Sequence, residues 1–226
     1  MQTAIANRVA QLRAEIATYA QSIGRDPATI RLCAVSKFQP REAILAVAAA
    51  GVHDVGESYV QEAQPKLADL AGLTTHFIGH IQRNKINAIV KTFDVIQSID
   101  RREVGASVAQ ACLRLGRRVR TLVQVNISPT DRFGVAPSEA VALAAYLRSL
   151  DLEVDGLMAI GPHTEDSAQI RRSFEEAARL FSQIGGSTFS IGMSSDWRQA
   201  VACGSTMLRI GTALFGPRIS VSPPTT

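Results

Sequence analysis

Short apolar runs recur along the chain, and between them the apolar residues are spaced three or four positions apart. Unbroken apolar runs are typical of parallel strands buried on both faces, whereas the wider spacing is typical of one face of a helix. The runs predict eight strands, at residues 30–36, 52–57, 76–79, 95–99, 121–127, 154–160, 188–193 and 208–215. The spaced segments predict helices between them, at residues 41–50, 59–70, 84–90, 102–115, 138–149, 167–182 and 195–202.

An additional helix is predicted before the first strand. Its apolar side chains share one face, at Ile5, Val9, Leu12, Ile16 and Tyr19. The alternation of eight strands with helices predicts an α/β protein that forms a closed (β/α)8 barrel, or TIM barrel. An open doubly wound sheet is the alternative, although such a sheet usually has fewer strands. We expect a single domain over residues 1–218 and a mobile tail at 219–226.

Composition and charge narrow the class of protein. Of the 226 residues 46% are hydrophobic and 19% charged, which allows a sizeable core and argues against disorder. The net charge of +4 is carried by scattered arginine pairs without interleaved aromatic residues, so we expect no nucleic-acid partner. No apolar run approaches the roughly 18 residues of a membrane span, and the charged N-terminal helix does not resemble a signal peptide.

The three cysteines indicate a reducing compartment. Cys33, Cys112 and Cys203 are far apart and odd in number, which fits neither a disulfide framework nor a metal site. We therefore expect a cytoplasmic protein without membrane contact, and we expect it to be a monomer.

A lysine ends the first predicted strand. The apolar residues 32–35 are followed by Ser36 and Lys37, and the carboxyl end of a barrel strand is where ligand sites are built. A lysine in a partly desolvated pocket can lose its proton and attack a carbonyl group. The alternative is a surface lysine that only follows a strand.

The last two predicted strands end in residues suited to an anion. Strand seven runs into Gly192, Ser194 and Asp196, and strand eight carries Gly211 and Thr212. Barrels frequently hold phosphate with the loops after strands seven and eight. Ordinary capping and turn chemistry is the alternative for each segment alone.

An amine on one side of the rim and a phosphate site on the other predict a ligand with an aldehyde and a phosphate. Pyridoxal 5′-phosphate (PLP) has both groups and forms an imine with lysine. Arg209, two residues before Gly211, could donate to the pyridine nitrogen. Since arginine keeps its proton, the ring would then be a weaker electron sink than beside a carboxylate. An ordinary ion pair is the alternative for Arg209.

The histidines do not indicate a metal site. His76 and His80 are four residues apart, but a predicted strand separates them, so they do not share a face as helical ligands would. His80 either lines the pocket or is a hydrogen-bonded structural residue. Glu57 could act as an acid or base, or hold a neighbouring backbone, and the sequence leaves both open.

Five segments together resemble one family. They are AVSK at 34–37, GESYVQE at 56–62, HFIGHIQRNK at 76–85, GMSSD at 192–196 and RIGTALFG at 209–216. In this order they are similar to the PLP homeostasis protein family. The family commonly has Asn at the position of Ser58, and Trp at that of Thr75. The first replacement is expected to shorten a cofactor contact or leave it to water, and the second to alter only packing.

The resemblance implies a fold-type III barrel like the N-terminal domain of alanine racemase, with PLP bound as an imine to Lys37. It also implies that Arg209 faces the pyridine nitrogen, and that the phosphate is held by Ser194, Gly211 and Thr212. Further cofactor contacts are expected from the ends of strands two, three and six, at Ser58, His80 and Met158.

Members of that family are described as carriers or regulators of PLP without an established catalytic activity. Apo forms of PLP-dependent enzymes are the expected recipients. The alternative is a PLP-dependent racemase or decarboxylase, and a Schiff-base aldolase acting on sugar phosphates is a third. A racemase needs two bases on opposite faces of the substrate, and in alanine racemase the second comes from an added domain that we expect this chain to lack. Tyr59 and His80 are the remaining candidates for a second base.

Overall fold

Eight parallel strands close into a barrel in the order of the sequence, with β8 paired to β1. The computed structural model describes residues 1–128 and 133–216. The strands are β1 Arg31–Val35, β2 Asp54–Glu57, β3 Thr74–Phe77, β4 Val95–Ile99, β5 Arg120–Val125, β6 Glu153–Ala159, β7 Thr188–Ser190 and β8 Met207–Ile210. The predicted TIM barrel is confirmed. The predicted boundary at 218 and the predicted tail lie outside the described residues.

Helices alternate with the strands. They are α1 Gln2–Ser22, α2 Arg41–Ala49, α3 Val60–Leu67, α4 Ile86–Thr92, α5 Arg102–Leu115, α6 Ala140–Ser149, α7 Ser167–Ile184, α8 Trp197–Ala202 and α9 Thr212–Phe215. Single 3-10 turns occupy Pro27–Thr29, Arg83–Lys85 and Pro137–Glu139. Within the described ranges, no helix combines the length and the apolar character needed to cross a membrane.

The N-terminal helix completes the outer ring of the barrel. Helix α9, which follows β8, has only four residues and cannot cover the strands beside it. Helix α1 instead packs against α2, α8 and α9. The predicted apolar stripe faces inward, with Ile5, Val9, Leu12 and Ile16 buried. At about 1.5–3 kcal/mol for each fully buried aliphatic side chain, this face accounts for the docking of α1.

Two predicted strands were too long. Strand β7 ends at Ser190, and Gly192 follows at φ 92°, where a Cβ atom would lie 2.4 Å from the Cβ of Ala200. Strand β8 ends at Ile210 and the chain turns into α9. The apolar residues after each strand are therefore parts of loops or of a helix, and these segments form the rim of the barrel.

The interior of the barrel contains a set of buried polar side chains. Barrel interiors are packed cores, most often filled by branched aliphatic residues. Here several inward positions are polar, and their side chains hydrogen-bond to one another. They include His76, Gln97, Ser190 and Arg209.

Candidate functional site

A cavity of about 390 Å³ opens at the carboxyl end of the barrel. Seven of the eight predicted site residues line it, together with apolar residues from the strand ends. The lining consists of Val35, Lys37, Ser58, Ile78, Met158, Ile160, Met193, Ser194, Ser195, Arg209, Gly211 and Thr212. His80 does not belong to it. Its exposed ring stacks instead on Phe133, with 3.9 Å between the ring centroids.

Lys37 follows β1, and the residue before it is fixed by a buried ion pair. The hydroxyl of Ser36 donates to Oε1 of Glu57 at 2.6 Å, and Nζ of Lys66 donates to the Ser36 carbonyl at 2.8 Å. Lys66 also lies 2.5 Å from Oε1 of Glu57. Ser36 is therefore bound through both its side chain and its backbone, which limits the movement of the half-buried Lys37.

Phe38, the residue after Lys37, is held by helix α3, which also carries Lys66. Oε1 of Glu62 accepts the backbone N–H of Phe38 at 2.5 Å and lies 2.8 Å from Nζ of Lys66. Phe38 has φ 65°, a left-handed conformation that costs a residue with a Cβ atom about 1–2 kcal/mol. Contacts from α3 thus fix both neighbours of Lys37.

Glu57 does not line the cavity, and its contacts support the backbone of β1. Burial raises the pKa of Glu57, and the charge and hydrogen bond of Lys66 oppose that rise without cancelling it. Its second oxygen, Oε2, makes no hydrogen bond with any described residue. Of the two roles that the sequence left open for Glu57, these contacts correspond to holding a neighbouring backbone.

Arg209 reaches into the cavity from β8 and is almost completely buried. Nη1 donates to the carbonyl and the hydroxyl of Ser190, at 2.6 and 2.8 Å, and Nη2 donates to the carbonyl of Ala159 at 2.8 Å. Burial lowers the pKa of Arg209 to about 10, so the side chain keeps its charge at neutral pH. These hydrogen bonds use three of its five N–H donors. Its partners here are neutral, unlike those of an ordinary ion pair.

The loop after β7 meets the start of α9. The hydroxyl of Ser194 accepts the backbone N–H of Ala213 at 3.4 Å. Gly211 and Thr212 line both the main cavity and an adjoining recess of about 30 Å³, and Lys37 lines both as well. The amine of the first strand and the opening of the last helix therefore face a common space.

Asp196 shapes this loop, and it does so without the capping hydrogen bond that the sequence offered as an alternative to an anion site. It stands at the N-cap position of α8, but its carboxylate makes no capping hydrogen bond. Oδ1 instead accepts the backbone N–H of Met193 at 2.6 Å. Burial raises the pKa of Asp196, and the Met193 N–H and the charge of Arg209 oppose the rise. The carboxylate thus holds Met193 and its neighbour Ser194 at the cavity wall.

Ser58 is positioned by a close approach of two loops. A Cβ atom on Gly79 would lie 2.0 Å from the carbonyl oxygen of Ser58, so only glycine fits there. The loops after β2 and β3 therefore pass against each other, and the half-buried Ser58 stays at the edge of the cavity.

Sequence reasoning missed the apolar lining and the helix that supports Lys37. Val35 lies two residues before Lys37 and Ile160 lies two residues after Met158, so the two-residue repeat of strands could have found both. Glu62 and Lys66 form an i,i+4 pair on one face of α3, but the sequence gives no sign that this face lies behind β1.

The donor set suits an anionic ligand with a reactive carbonyl. The cavity combines the amine of Lys37, the guanidinium of Arg209 and hydroxyl groups from the rim, and its volume falls in the range of small-molecule sites. The hydroxyls belong to Ser58, Ser194, Ser195 and Thr212. Across the residues that the structure describes, no group of three histidine, cysteine or carboxylate side chains could hold a metal ion.

Several known proteins are similar to this chain over most of its length. The family described as alanine racemase, N-terminal domain, matches residues 8–219. The pyridoxal phosphate homeostasis protein of Pseudomonas aeruginosa is 40% identical over 220 residues, which cover 95% of this chain and 96% of that protein. The solved structure of PipY from Synechococcus elongatus with PLP bound is 34% identical, with a TM-score of 0.82 over 94% of this chain and 100% of that one. Alanine racemase of Clostridium difficile has a TM-score of 0.72 over 90% of this chain and 56% of its own, and at 14% identity this likeness shows the fold alone.

Proposed function

Because the chain belongs to the family of pyridoxal phosphate homeostasis proteins, we propose that it binds PLP at the carboxyl end of its barrel and helps to regulate the cellular supply of that cofactor. The observation that carries the proposal is the meeting of Lys37 and Arg209 in one cavity with the rim hydroxyls. Each of these groups suits a different part of PLP.

Lys37 is the residue that holds the aldehyde end. When bound, PLP supplies an aldehyde carbon that a deprotonated lysine amine can hold as an imine. Ser36 and Phe38 are fixed on either side by Glu57, Lys66 and Glu62, so the backbone that carries Lys37 is held in place before the cofactor enters. Such support is expected around a lysine whose amine must be correctly positioned to react with the aldehyde.

The phosphate end belongs at the loops after β7 and β8. Ser194 and Thr212 supply hydroxyl donors there, and Gly211 permits close approach of the backbone. Barrels commonly bind phosphate with these loops and the start of a short extra helix, which is the place of α9 here. Ser58 and the buried Met158 would contact the ring, whereas His80 does not line the cavity.

Arg209 faces the ring nitrogen. Its unused N–H donors lie on a residue that lines the cavity, and a guanidinium that keeps its proton leaves the pyridine nitrogen as an acceptor. An unprotonated ring withdraws electrons less strongly, which suits a protein that holds the cofactor better than one that uses it for amino-acid chemistry.

The protein acts as a carrier that passes PLP to apo forms of PLP-dependent enzymes. Tyr59, one candidate for the second base of a racemase, is 47% exposed and packs against Phe38 outside the cavity lining.

We further propose that the protein works as a monomer in the cytoplasm. The three cysteines, all free thiols in the described structure, agree with a reducing compartment.

The test compares the wild-type protein with Lys37→Ala. Wild-type protein loaded with PLP should be yellow, keep its colour through gel filtration and turn over no amino acid at a useful rate. Lys37→Ala should lose the colour while its circular dichroism in the PLP-free state still shows the folded barrel. If the wild type racemises alanine or another amino acid and Lys37→Ala does not, the protein is an enzyme and the carrier proposal is wrong.

A further inference from the structure

A line of buried side chains runs from Arg209 through the barrel interior to its opposite end. Nη1 of Arg209 lies 2.8 Å from the hydroxyl of Ser190, and that hydroxyl lies 2.7 Å from Oε1 of Gln97. Nε2 of Gln97 lies 2.9 Å from Nδ1 of His76, and Nε2 of His76 lies 2.8 Å from Oδ1 of Asp54. The line therefore links the cavity to a carboxylate at the amino end of β2.

The Asp54 carboxylate determines which group donates and which accepts in every hydrogen bond of this line. An ionised carboxylate only accepts, so Nε2 of His76 must carry the proton that points at Asp54. The surroundings of Asp54 keep it ionised: burial raises its pKa, but the hydrogen bond from His76 and the charge of Arg31 bring the pKa below its ordinary value. Burial lowers the pKa of His76, so its ring is neutral and Nδ1 is an acceptor.

The neutral His76 ring also determines which way the side-chain amide of Gln97 is oriented. Because Nδ1 of His76 accepts, the amide of Gln97 must present its NH₂ group there and its oxygen to Ser190. The same NH₂ group lies 3.3 Å from the sulfur of Met207, a weak acceptor. The opposite orientation of the amide would set its oxygen against the lone pair of Nδ1. The hydroxyl of Ser190 then donates to Gln97 and offers a lone pair to Arg209.

We propose that Gln97, oriented by His76, is a positioning residue for the cofactor-facing guanidinium of Arg209. Because Gln97 accepts the hydrogen bond from the Ser190 hydroxyl, the serine oxygen can accept a hydrogen bond from Nη1 of Arg209. Both N–H groups of Nη1 are then engaged with Ser190, and one N–H on Nη2 is engaged with Ala159. The remaining N–H groups, on Nε and Nη2, are left available to donate to the ring nitrogen of PLP. This inference rests on the proposed function, because it concerns how Arg209 meets PLP.

Two substitutions at Gln97 separate positioning from packing. Gln97→Met fills a similar volume but offers no acceptor to Ser190. Gln97→Glu keeps an oxygen for Ser190, and in its protonated form its hydroxyl can donate to Nδ1 of His76 as the amide does. The matched control is Ser98→Ala on the same strand, because the buried Ser98 hydroxyl makes no hydrogen bond with any described residue.

The first measurement is the dissociation constant for PLP, taken with the melting temperature of each PLP-free variant. Gln97→Met should weaken PLP binding by about ten-fold, the loss expected for one hydrogen bond. Gln97→Glu and Ser98→Ala should stay within about two-fold of the wild type. The visible absorption band of bound PLP should move in Gln97→Met only, because only there does the guanidinium shift against the ring.

The second measurement needs no cofactor. In a long-range proton–nitrogen NMR spectrum of PLP-free protein labelled at histidine, His76 should show the neutral form protonated at Nε2. The form protonated at Nδ1 would overturn the proposed direction of the line. Equal losses of PLP binding in both Gln97 variants, in step with their melting temperatures, would reduce Gln97 to a packing residue and also overturn it.

Failure of this inference is distinct from failure of the proposed function. If the wild type and Ser98→Ala bind PLP and Gln97→Met binds it equally well, Gln97 does not position Arg209. If the wild type binds no PLP at all, the proposed function itself is wrong, and the inference is overturned with it.

Discussion

Nζ of Lys66 lies 2.5 Å from Oε1 of Glu57, and this buried pair stands directly behind the residue that precedes the cavity lysine. The side chain of Glu57 has no exposed surface and that of Lys66 is 11% exposed. The attraction between the two charges must offset the cost of taking both out of water. Removing one partner alone leaves an uncompensated buried charge.

Lys66→Met should therefore destabilise the fold strongly. The expected loss in the free energy of unfolding is about 3 kcal/mol, because the buried Glu57 must then take up a proton or stay charged without a partner, and the Ser36 carbonyl loses its donor. Urea unfolding at pH 7 measures it. Lys91→Met, at an exposed position on α4, is the control and should change the free energy by less than about 0.5 kcal/mol. Comparable losses in the two variants would show that the buried pair has no special role.

Two substitutions at opposite ends of the cavity should weaken PLP retention. Arg209→Ala removes the guanidinium at the ring, and Ser194→Ala removes a hydroxyl at the phosphate loops. Each should raise the dissociation constant for PLP by about ten-fold or more, the effect of losing one or two hydrogen bonds. Fluorescence titration measures it, with Ser182→Ala at the exposed end of α7 as the control. Unchanged retention in both would mean that the cofactor lies differently in the cavity.

Gly79→Ala should damage both stability and binding. Its Cβ atom would lie 2.0 Å from the Ser58 carbonyl oxygen, so the two loops must separate at a cost of about 3 kcal/mol. Gly72→Ala is the matched control, because nothing lies within 4 Å there and only its positive φ opposes the change, at about 1 kcal/mol. Thermal unfolding and PLP titration of both variants test this, and equal stability would contradict the close approach.

The stability of the protein should fall in mild acid because of His76. Burial lowers the pKa of His76 in the folded state, and the hydrogen bond to Asp54 only partly opposes this. Below about pH 6.5 the unfolded chain takes up a proton that the folded state refuses, so acid favours unfolding. The stabilisation is complete above that pH and is lost as the pH falls toward the folded pKa, at up to about 1.4 kcal/mol per pH unit.

Urea unfolding between pH 7.5 and 5.5 measures this slope. His76→Gln should reduce it, whereas His163→Gln, at an exposed position, should leave it as in the wild type. A wild-type slope that persists in His76→Gln would assign the pH dependence to other groups.

The barrel could be predicted from the sequence because its strands are buried on both faces. Several strands contain an apolar run too short for a helix, such as residues 32–35 in β1. The ends of β7 and β8 could not be predicted. After Ile210 the residues Ala213, Leu214 and Phe215 suit a strand or a helix equally, and only the packing of α1 against α9 decides between them.

The candidate site was predictable where a residue lies at the end of a strand. Lys37, Ser58 and Met158 follow from that rule together with the resemblance, because parallel strands share one rim. The buried polar line was not predictable. Gln97 is one of two polar residues in β4, and its partners Ser190 and His76 come from distant segments whose register only the closed barrel fixes.

Helix α1 ties the beginning of the chain to its end. Arg8 donates to the carbonyl of Phe215, more than 200 residues away, and Tyr19 packs edge-on against Trp197 at 5.7 Å. Because α1 serves as the eighth outer helix, the barrel cannot close during synthesis until β8 has left the ribosome. The loops after β7 and β8 lie beside the pairing of β8 with β1, so they are the last part of the site to fold. A nascent chain should therefore acquire affinity for PLP only after β8 and α9 have been synthesised.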